Sequence, residues 1–123
     1  MGNFSETQIQ AAWNKASTVP NYDSAKFRKD PCGAWIQRDQ YGSPDHAFGW
    51  EIDHAYPQSK GGDDSSDNLR AMHSQNNRSK ADDYPSYSCA LTSEDTKNVP
   101  AKDKRMTLHD DVQSVLKQKY RIT

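Results

Sequence analysis

Residues 48–80 constrain the fold of this chain more than any other segment, because strand and loop signals follow one another there in a fixed order. Residues 48–53 place Trp50 and Ile52 at alternating positions, as in a strand that buries one face. The segment 58–67 contains two adjacent glycines and a row of acidic and serine residues, which predicts a loop. A long polar loop therefore follows the first strand of this region.

The remainder of the region predicts a second strand and a helix. Residues 69–73 predict a short strand, and Ser74 is a plausible N-cap for a helix over about 75–81. Upstream, residues 34–39 predict another short strand. Turn-forming residues separate it from 48–53, so we expect these two strands to form a hairpin.

Helices are predicted near both ends of the chain. A capping box at Ser5 and apolar residues at helical spacing predict an amphipathic helix over 6–17. Thr107 and Asp110 give another capping signal, for a terminal helix that ends near Tyr120. The apolar stripe of this second helix consists of Leu108, Val112, Val115 and Leu116.

The composition predicts one domain with a small core. The chain has 123 residues, of which 33% are hydrophobic, so residues 1–123 are expected to form a single domain. The segment 82–100 contains two prolines and little periodicity, and we expect it to be irregular. The predicted fold class is α+β, with a core region at about 34–81 and a helix on either side.

The charge balance does not by itself indicate nucleic-acid binding, since the formal net charge is −1. Folding could still collect local basic clusters on one side of the protein. No apolar segment has the character of a signal peptide or a membrane span, which predicts a cytoplasmic protein without a membrane partner. The basic clusters are Lys26, Arg28 and Lys29; Arg70, Arg78 and Lys80; Lys102, Lys104 and Arg105; and Lys117, Lys119 and Arg121.

Cys32 and Cys89 are the only cysteines, and neither belongs to a Cys-x-x-Cys pair. A structural zinc site with four cysteines is therefore impossible. The two residues could form a disulfide or lie free, and both alternatives stay open. We favour free, buried thiols in a reducing compartment.

Five polar residues of the core region form a set suited to phosphodiester chemistry. Asp53 and His54 are adjacent near a strand end, so their side chains point to opposite faces and could flank a phosphate. Histidine exchanges protons near neutral pH, which suits His54 to the role of general base. Asp53 and Asn77 offer oxygen ligands, which favour Mg²⁺ with Mn²⁺ as a substitute. Lys80 could reach a phosphate oxygen, and Asn68 could hold the loop in place.

These residues resemble the motif of the HNH nucleases, whose fold is called ββα-metal. The resemblance implies an α+β fold with a short antiparallel hairpin and a helix, and mostly DNA endonuclease activity. It assigns His54 as general base, Asp53 and Asn77 as metal ligands, and Asn68 as the structural asparagine. The matching residues are Glu51-Ile52-Asp53-His54, Pro57-x-Ser59-Lys60-Gly61-Gly62, Asn68-Leu69 and Asn77-Arg78-Ser79-Lys80.

The chain departs from many HNH relatives at two points. Those relatives carry two Cys-x-x-Cys pairs around a structural zinc, but here one pair is absent and the other falls at His73 and Asn76, so no structural zinc is expected. The colicin branch has a further ligand histidine at the position of Ala81, so that ligand is missing here. Its loss favours Mg²⁺ over a tightly bound transition metal. His73 is a weaker candidate metal ligand, with capping or packing as its other possible role. Asn76 is interpreted as a helix-surface or packing residue.

Lys60, Arg78 and Lys80 are the candidate nucleic-acid contacts. We therefore expect a metal-dependent HNH endonuclease that acts on DNA, with RNA not excluded, similar to small bacterial or phage HNH proteins. One alternative is a catalytically inactive DNA-binding module of the same fold. Another is the nuclease domain of a toxin with an immunity protein, for which the sequence gives no support. The sequence predicts neither base specificity nor oligomeric state.

Overall fold

The computed structural model describes residues 3–122, in which short antiparallel strands pair two by two around three helices. The helices are α1 (Glu6–Asn14), α2 (Ser74–Lys80) and α3 (Asp110–Tyr120). The paired strands are β1 (Phe27–Lys29) with β2 (Trp35–Gln37), β3 (Trp50–His54) with β4 (Leu69–His73), β5 (Ser86–Ser88) with β8 (Arg105–Thr107), and β6 (Leu91–Glu94) with β7 (Lys97–Pro100). This mixture of elements is compatible with the predicted α+β class.

The central pair is β3 with β4, whose register runs from Trp50 opposite His73 to His54 opposite Leu69. The prediction of a hairpin between 34–39 and 48–53 is wrong. Strand β2 pairs with β1 instead. Between the two predicted strands, the backbone N–H of Gln37 donates to the carbonyl of Phe48, and Nε1 of Trp50 donates to the carbonyl of Arg38. Strand β1 was missed because its three residues, one aromatic and two basic, show no apolar alternation.

One face of the β3–β4 pair packs on α1. Trp50 and Ile52 point to this face, and the ring of Trp13 lies 5.3 Å from that of Trp50 between centroids. The capping box at Ser5 is confirmed, but α1 ends at Asn14 rather than at residue 17. The core cluster on this face consists of Ile9, Ala12, Trp13, Ile36, Trp50, Ile52, Leu69 and Ala71.

Arg28 binds the chain at the C-terminal end of α1, which comes earlier than the sequence predicted. Its guanidinium donates to the carbonyls of Asn14 and Ala16, at 3.0 and 3.1 Å. The last carbonyls of a helix need such donors, because they have no partner within the helix. Arg28, which lies in β1, therefore supplies hydrogen bonds that a further turn of the helix would otherwise have supplied.

The prediction that the segment 82–100 is irregular is wrong, because the segment contains β5, β6 and β7. These strands are three or four residues long and largely polar, so they carry no periodicity that a sequence pattern could reveal. Strand β5 is fixed by distant contacts, since it pairs with β8 and Ser79 of α2 donates to the carbonyl of Ser88 at 2.8 Å. Strands β6 and β7 pair locally with each other, with Glu94 opposite Lys97.

The expectation of free thiols is also wrong, because Cys32 and Cys89 form a disulfide across a sequence separation of 57. Both residues are buried with Met72 and Tyr87 in a second core cluster. A local pattern contains no information about two cysteines that approach through the tertiary fold. The prediction of a reducing compartment loses the support that it drew from free thiols.

The terminal helix ends at Tyr120, as predicted, but begins at Asp110 with His109 as its N-cap residue. Thr107, the predicted cap, lies in β8 and its hydroxyl pairs with that of Ser86 at 2.7 Å. Leu108 and Leu116 are buried, whereas Val115 is exposed. Of the helices in residues 3–122, none combines the length and apolar character that crossing a membrane requires.

Removal of the disulfide is expected to destabilise the fold. The double variant Cys32→Ala/Cys89→Ala should lose about 2–4 kcal/mol of unfolding free energy, because a cross-link over a long loop restricts the unfolded chain. Equilibrium denaturation in urea measures the loss, and the wild type under reducing agent should show a similar one. Equal denaturation midpoints for the oxidised and reduced protein would contradict the cross-link.

Candidate active site

His54 lies at the end of β3 with its side chain 15% exposed. Its Nε2 is 2.7 Å from Oδ1 of Asp64, and the ring of Phe4 lies 6.0 Å away between centroids. Among the described residues, Nδ1 of His54 has no hydrogen-bond partner. The imidazole is therefore held through Nε2, and its side chain is partly exposed.

The loop between β3 and β4 is held by Asn68, which is fully buried. Its Oδ1 accepts the backbone N–H of Tyr56 at 2.7 Å, and its Nδ2 donates to the carbonyls of Tyr56 and Asp63, both at 3.0 Å. Gly62 lies so close that a Cβ would be 1.8 Å from the Tyr56 carbonyl oxygen. Through these contacts, the side chain of Asn68 fixes the backbone of the loop.

Asp53 points to the opposite face of β3 and is buried between two cations. Its carboxylate accepts from Nε of Arg70 at 2.9 Å and lies 3.3 Å from Nζ of Lys80. Neighbouring residues in a strand alternate between faces, which separates Asp53 from His54. Both oxygens of Asp53 are therefore engaged by positively charged side chains.

Lys80 is fully buried, although the sequence analysis expected it to reach a phosphate. Its Nζ donates to the backbone carbonyl of His54 at 3.1 Å. Burial lowers the pKa of Lys80, and the charge of Asp53 opposes that shift. In this position the ammonium supports the backbone of His54 through a hydrogen bond and is buried away from any substrate.

Asn77, the second expected metal ligand, donates from Nδ2 to Oε1 of Glu51 at 3.0 Å. Glu51 and Asp53 share a face of β3 because they are two residues apart. The expected ligands Asp53 and Asn77 thus lie on the same side of the hairpin, but each contacts a different partner. Glu51 belongs to the motif quoted above, yet sequence reasoning gave it no role.

The donor set of this face fits Mg²⁺ in its chemistry, since carboxylate and amide oxygens are the ligands that this ion prefers. The fit is incomplete in arrangement, because Asp53 is shared with two cations. Among residues 3–122, no three His, Cys, Asp or Glu side chains form a group that could hold a metal ion.

His73, the weaker candidate ligand, is fully buried at the start of α2. Its Nδ1 accepts the backbone N–H of Gln75 at 3.1 Å, and its Nε2 lies 2.8 Å from the carbonyl oxygen of Ala47. His73 therefore caps α2, which is the other role that the sequence left open. The predicted cap, Ser74, is the first residue of the helix, and its buried hydroxyl has no hydrogen-bond partner within the described residues 3–122.

Lys60 and Arg78, the remaining candidate contacts to nucleic acid, are both exposed. Lys60 lies in the loop after His54, and Arg78 lies on the outer side of α2. Unlike Lys80, these two side chains are accessible to a phosphate backbone.

Sequence reasoning missed Asp30, whose buried carboxylate binds four donors. One oxygen accepts the backbone N–H groups of Cys32 and Ala34, and the other accepts the N–H of His73 and the amide of Asn76. Burial raises the pKa of Asp30, and these hydrogen bonds oppose the rise. Asn76 is thus a packing residue and not a surface residue, and no local pattern marks Asp30 as its partner.

The variant Asp53→Asn should unfold more easily even without metal, because it leaves Arg70 and Lys80 buried without a counter-charge. We expect a loss of about 3 kcal/mol in unfolding free energy, measured by urea denaturation in EDTA. The control is Asp67→Asn, since Asp67 is exposed and lies 3.9 Å from Lys119. Equal stability of Asp53→Asn and the wild type would show that the ion pairs do not hold the fold.

Comparison with known proteins identifies part of the chain. No curated protein and no solved structure matches it. A family model described as HNH endonuclease matches residues 43–86, which contain β3, β4, α2 and the loop that carries Asp64 and Asn68. Over this segment, the chain is similar to the HNH endonuclease family.

Proposed function

We propose that this protein is a metal-dependent endonuclease that hydrolyses phosphodiester bonds of DNA. The observation that carries the proposal is the state of His54 within an HNH segment. One ring nitrogen is bound to a carboxylate, the other has no partner among residues 3–122, and the side chain is partly exposed. A ring held in this way can take a proton from a water molecule that attacks phosphorus.

The metal is proposed to be Mg²⁺, with Mn²⁺ as a substitute, bound by Asp53 and Asn77. When bound, such an ion would stabilise the negative charge of the leaving oxygen. Asp53 is shared with Arg70 and Lys80, so the metal and these cations compete for one carboxylate. This competition predicts weak metal binding.

The other residues of the set act through position and charge. Asn68 fixes the loop beside His54, and Lys80 supports the backbone of His54 through its carbonyl. Lys60 and Arg78 are proposed to contact the phosphate backbone, because both are exposed cations within the HNH segment. DNA is the proposed substrate because HNH nucleases act on nucleic acids.

A DNA-binding module without activity is the second candidate. The observation in its favour is the pairing of Asp53 with two buried cations, which leaves this carboxylate neutralised. Such a module would bind DNA in a salt-dependent manner and would not need His54.

Cleavage assays separate these two functions. Wild-type protein with Mg²⁺ or Mn²⁺ should nick or cut plasmid DNA, and EDTA should abolish the activity. His54→Ala should lower the rate by about 100-fold or more, because the general base is lost. The control His109→Ala removes an exposed histidine outside the HNH segment and should retain activity.

The assay should include single-stranded DNA and RNA beside duplex DNA, since the substrate class is part of the proposal. Folded wild-type protein that binds DNA but cuts none of these substrates with any metal would establish the second candidate and overturn the first.

Asn77→Ala is expected to weaken metal binding while the protein remains folded, because Asn77 contributes one ligand oxygen and is only half-buried. Isothermal titration with Mn²⁺ should give a lower affinity by about 10-fold or more. Gln75→Ala, an exposed position on the same helix, is the matched control. Unchanged Mn²⁺ affinity in Asn77→Ala would exclude Asn77 as a ligand.

A further inference from the structure

We propose that Asp64 is the positioning residue of His54. Its carboxylate holds the imidazole in the form that carries the proton on Nε2, so that Nδ1 is the nitrogen that accepts a proton from water. This inference rests on the proposed nuclease function, and it gives a role to Asp64, for which the sequence predicted none.

The first support is the contact itself. Nε2 of His54 and Oδ1 of Asp64 are 2.7 Å apart, a short distance for a hydrogen bond between nitrogen and a carboxylate. A carboxylate can only accept, so Nε2 must donate and must carry a proton. In a neutral imidazole the other nitrogen is then an acceptor, which is the form that a general base requires.

The second support is the fixed backbone on either side of Asp64. The carbonyl of Asp63 accepts from the buried amide of Asn68 at 3.0 Å. The side chain of Asp63 accepts from the N–H and the hydroxyl of Ser65, at 3.1 and 2.6 Å. Asp64 is exposed, but the residues that flank it are held by hydrogen bonds, so its carboxylate is presented to His54 in a defined position.

The third support comes from outside the HNH segment. Tyr120 of α3 accepts the backbone N–H of Asp63 at 3.2 Å and donates its hydroxyl to the Asp63 carboxylate. Its ring stacks on that of Tyr56, with centroids 5.2 Å apart. The terminal helix therefore braces the loop that carries Asp64.

A positioning role and a structural role of Asp64 predict different effects on stability. The side chain of Asp64 is 54% exposed, and exposed pairs add little to stability. Removing Asp64 should thus leave the thermal midpoint unchanged while altering the imidazole and the rate. A structural role would instead lower the thermal midpoint.

The experiment is nitrogen NMR of histidine-labelled protein at a pH where the imidazole is neutral, combined with steady-state cleavage kinetics. The wild type should show His54 with its proton on Nε2. Asp64→Ala should show a mixture of both proton positions and a kcat lower by about 10-fold, with KM nearly unchanged. Asp64→Glu should recover part of the rate, and Asp64→Asn should recover less.

The matched control is Asp67→Ala, whose side chain has a similar exposure of 57% in the same loop. It should change neither the NMR signals of His54 nor kcat. Tyr120→Phe should shift both in the direction of Asp64→Ala, by a smaller amount.

Two results would overturn the proposal: a wild-type His54 with its proton on Nδ1, or an Asp64→Ala variant with unchanged proton position and kcat. Failure of the nuclease function is a separate result. It would appear as a wild type that cuts nothing, and the NMR measurement would still decide whether Asp64 orients His54.

Discussion

The buried contact between Asp30 and Asn76 is the constraint on which the other contacts of the fold depend. Asp30 follows β1 and receives hydrogen bonds from the turn before β2, from the end of β4 and from α2. Asn76 in turn accepts the backbone N–H groups of Ala90 and Leu91. A buried carboxylate or amide without partners is costly, so these regions must assemble together. The position of α2 against the hairpin follows from this assembly.

The other end of α2 is fixed by charge. Lys80 and Arg70 surround Asp53, and the ammonium of Lys80 also binds the carbonyl of His54. One carboxylate thus serves two purposes, because the ion pairs that stabilise the fold occupy the oxygens that a metal would need. In the proposed nuclease, such a site would support the proposed general base rigidly and would bind the metal weakly.

Local patterns in the sequence predicted the parts of the fold that depend on neighbouring residues. The alternation of Trp50 and Ile52 located β3, and the capping box at Ser5 located α1. The parts that failed did so for two reasons. The pairing of β5 with β8 and the disulfide require the approach of residues far apart in sequence, as Asp30 and Asn76 are. Strands β1, β6 and β7 pair locally, but these short strands show no apolar alternation. Similarly, the motif placed Lys80 on the helix without revealing that its ammonium is buried.

The HNH segment alone cannot form this site. A two-stranded hairpin with a helix of seven residues buries too little surface to be stable by itself. Helix α1 covers one face through Trp13, and the region linked by the disulfide covers the other around Tyr87. The same flanking regions reach the proposed general base, since Phe4 packs on the ring of His54 and Tyr120 is hydrogen-bonded to the loop beside it. The geometry of His54 is therefore determined by residues before and after the family segment as well as by the motif within it.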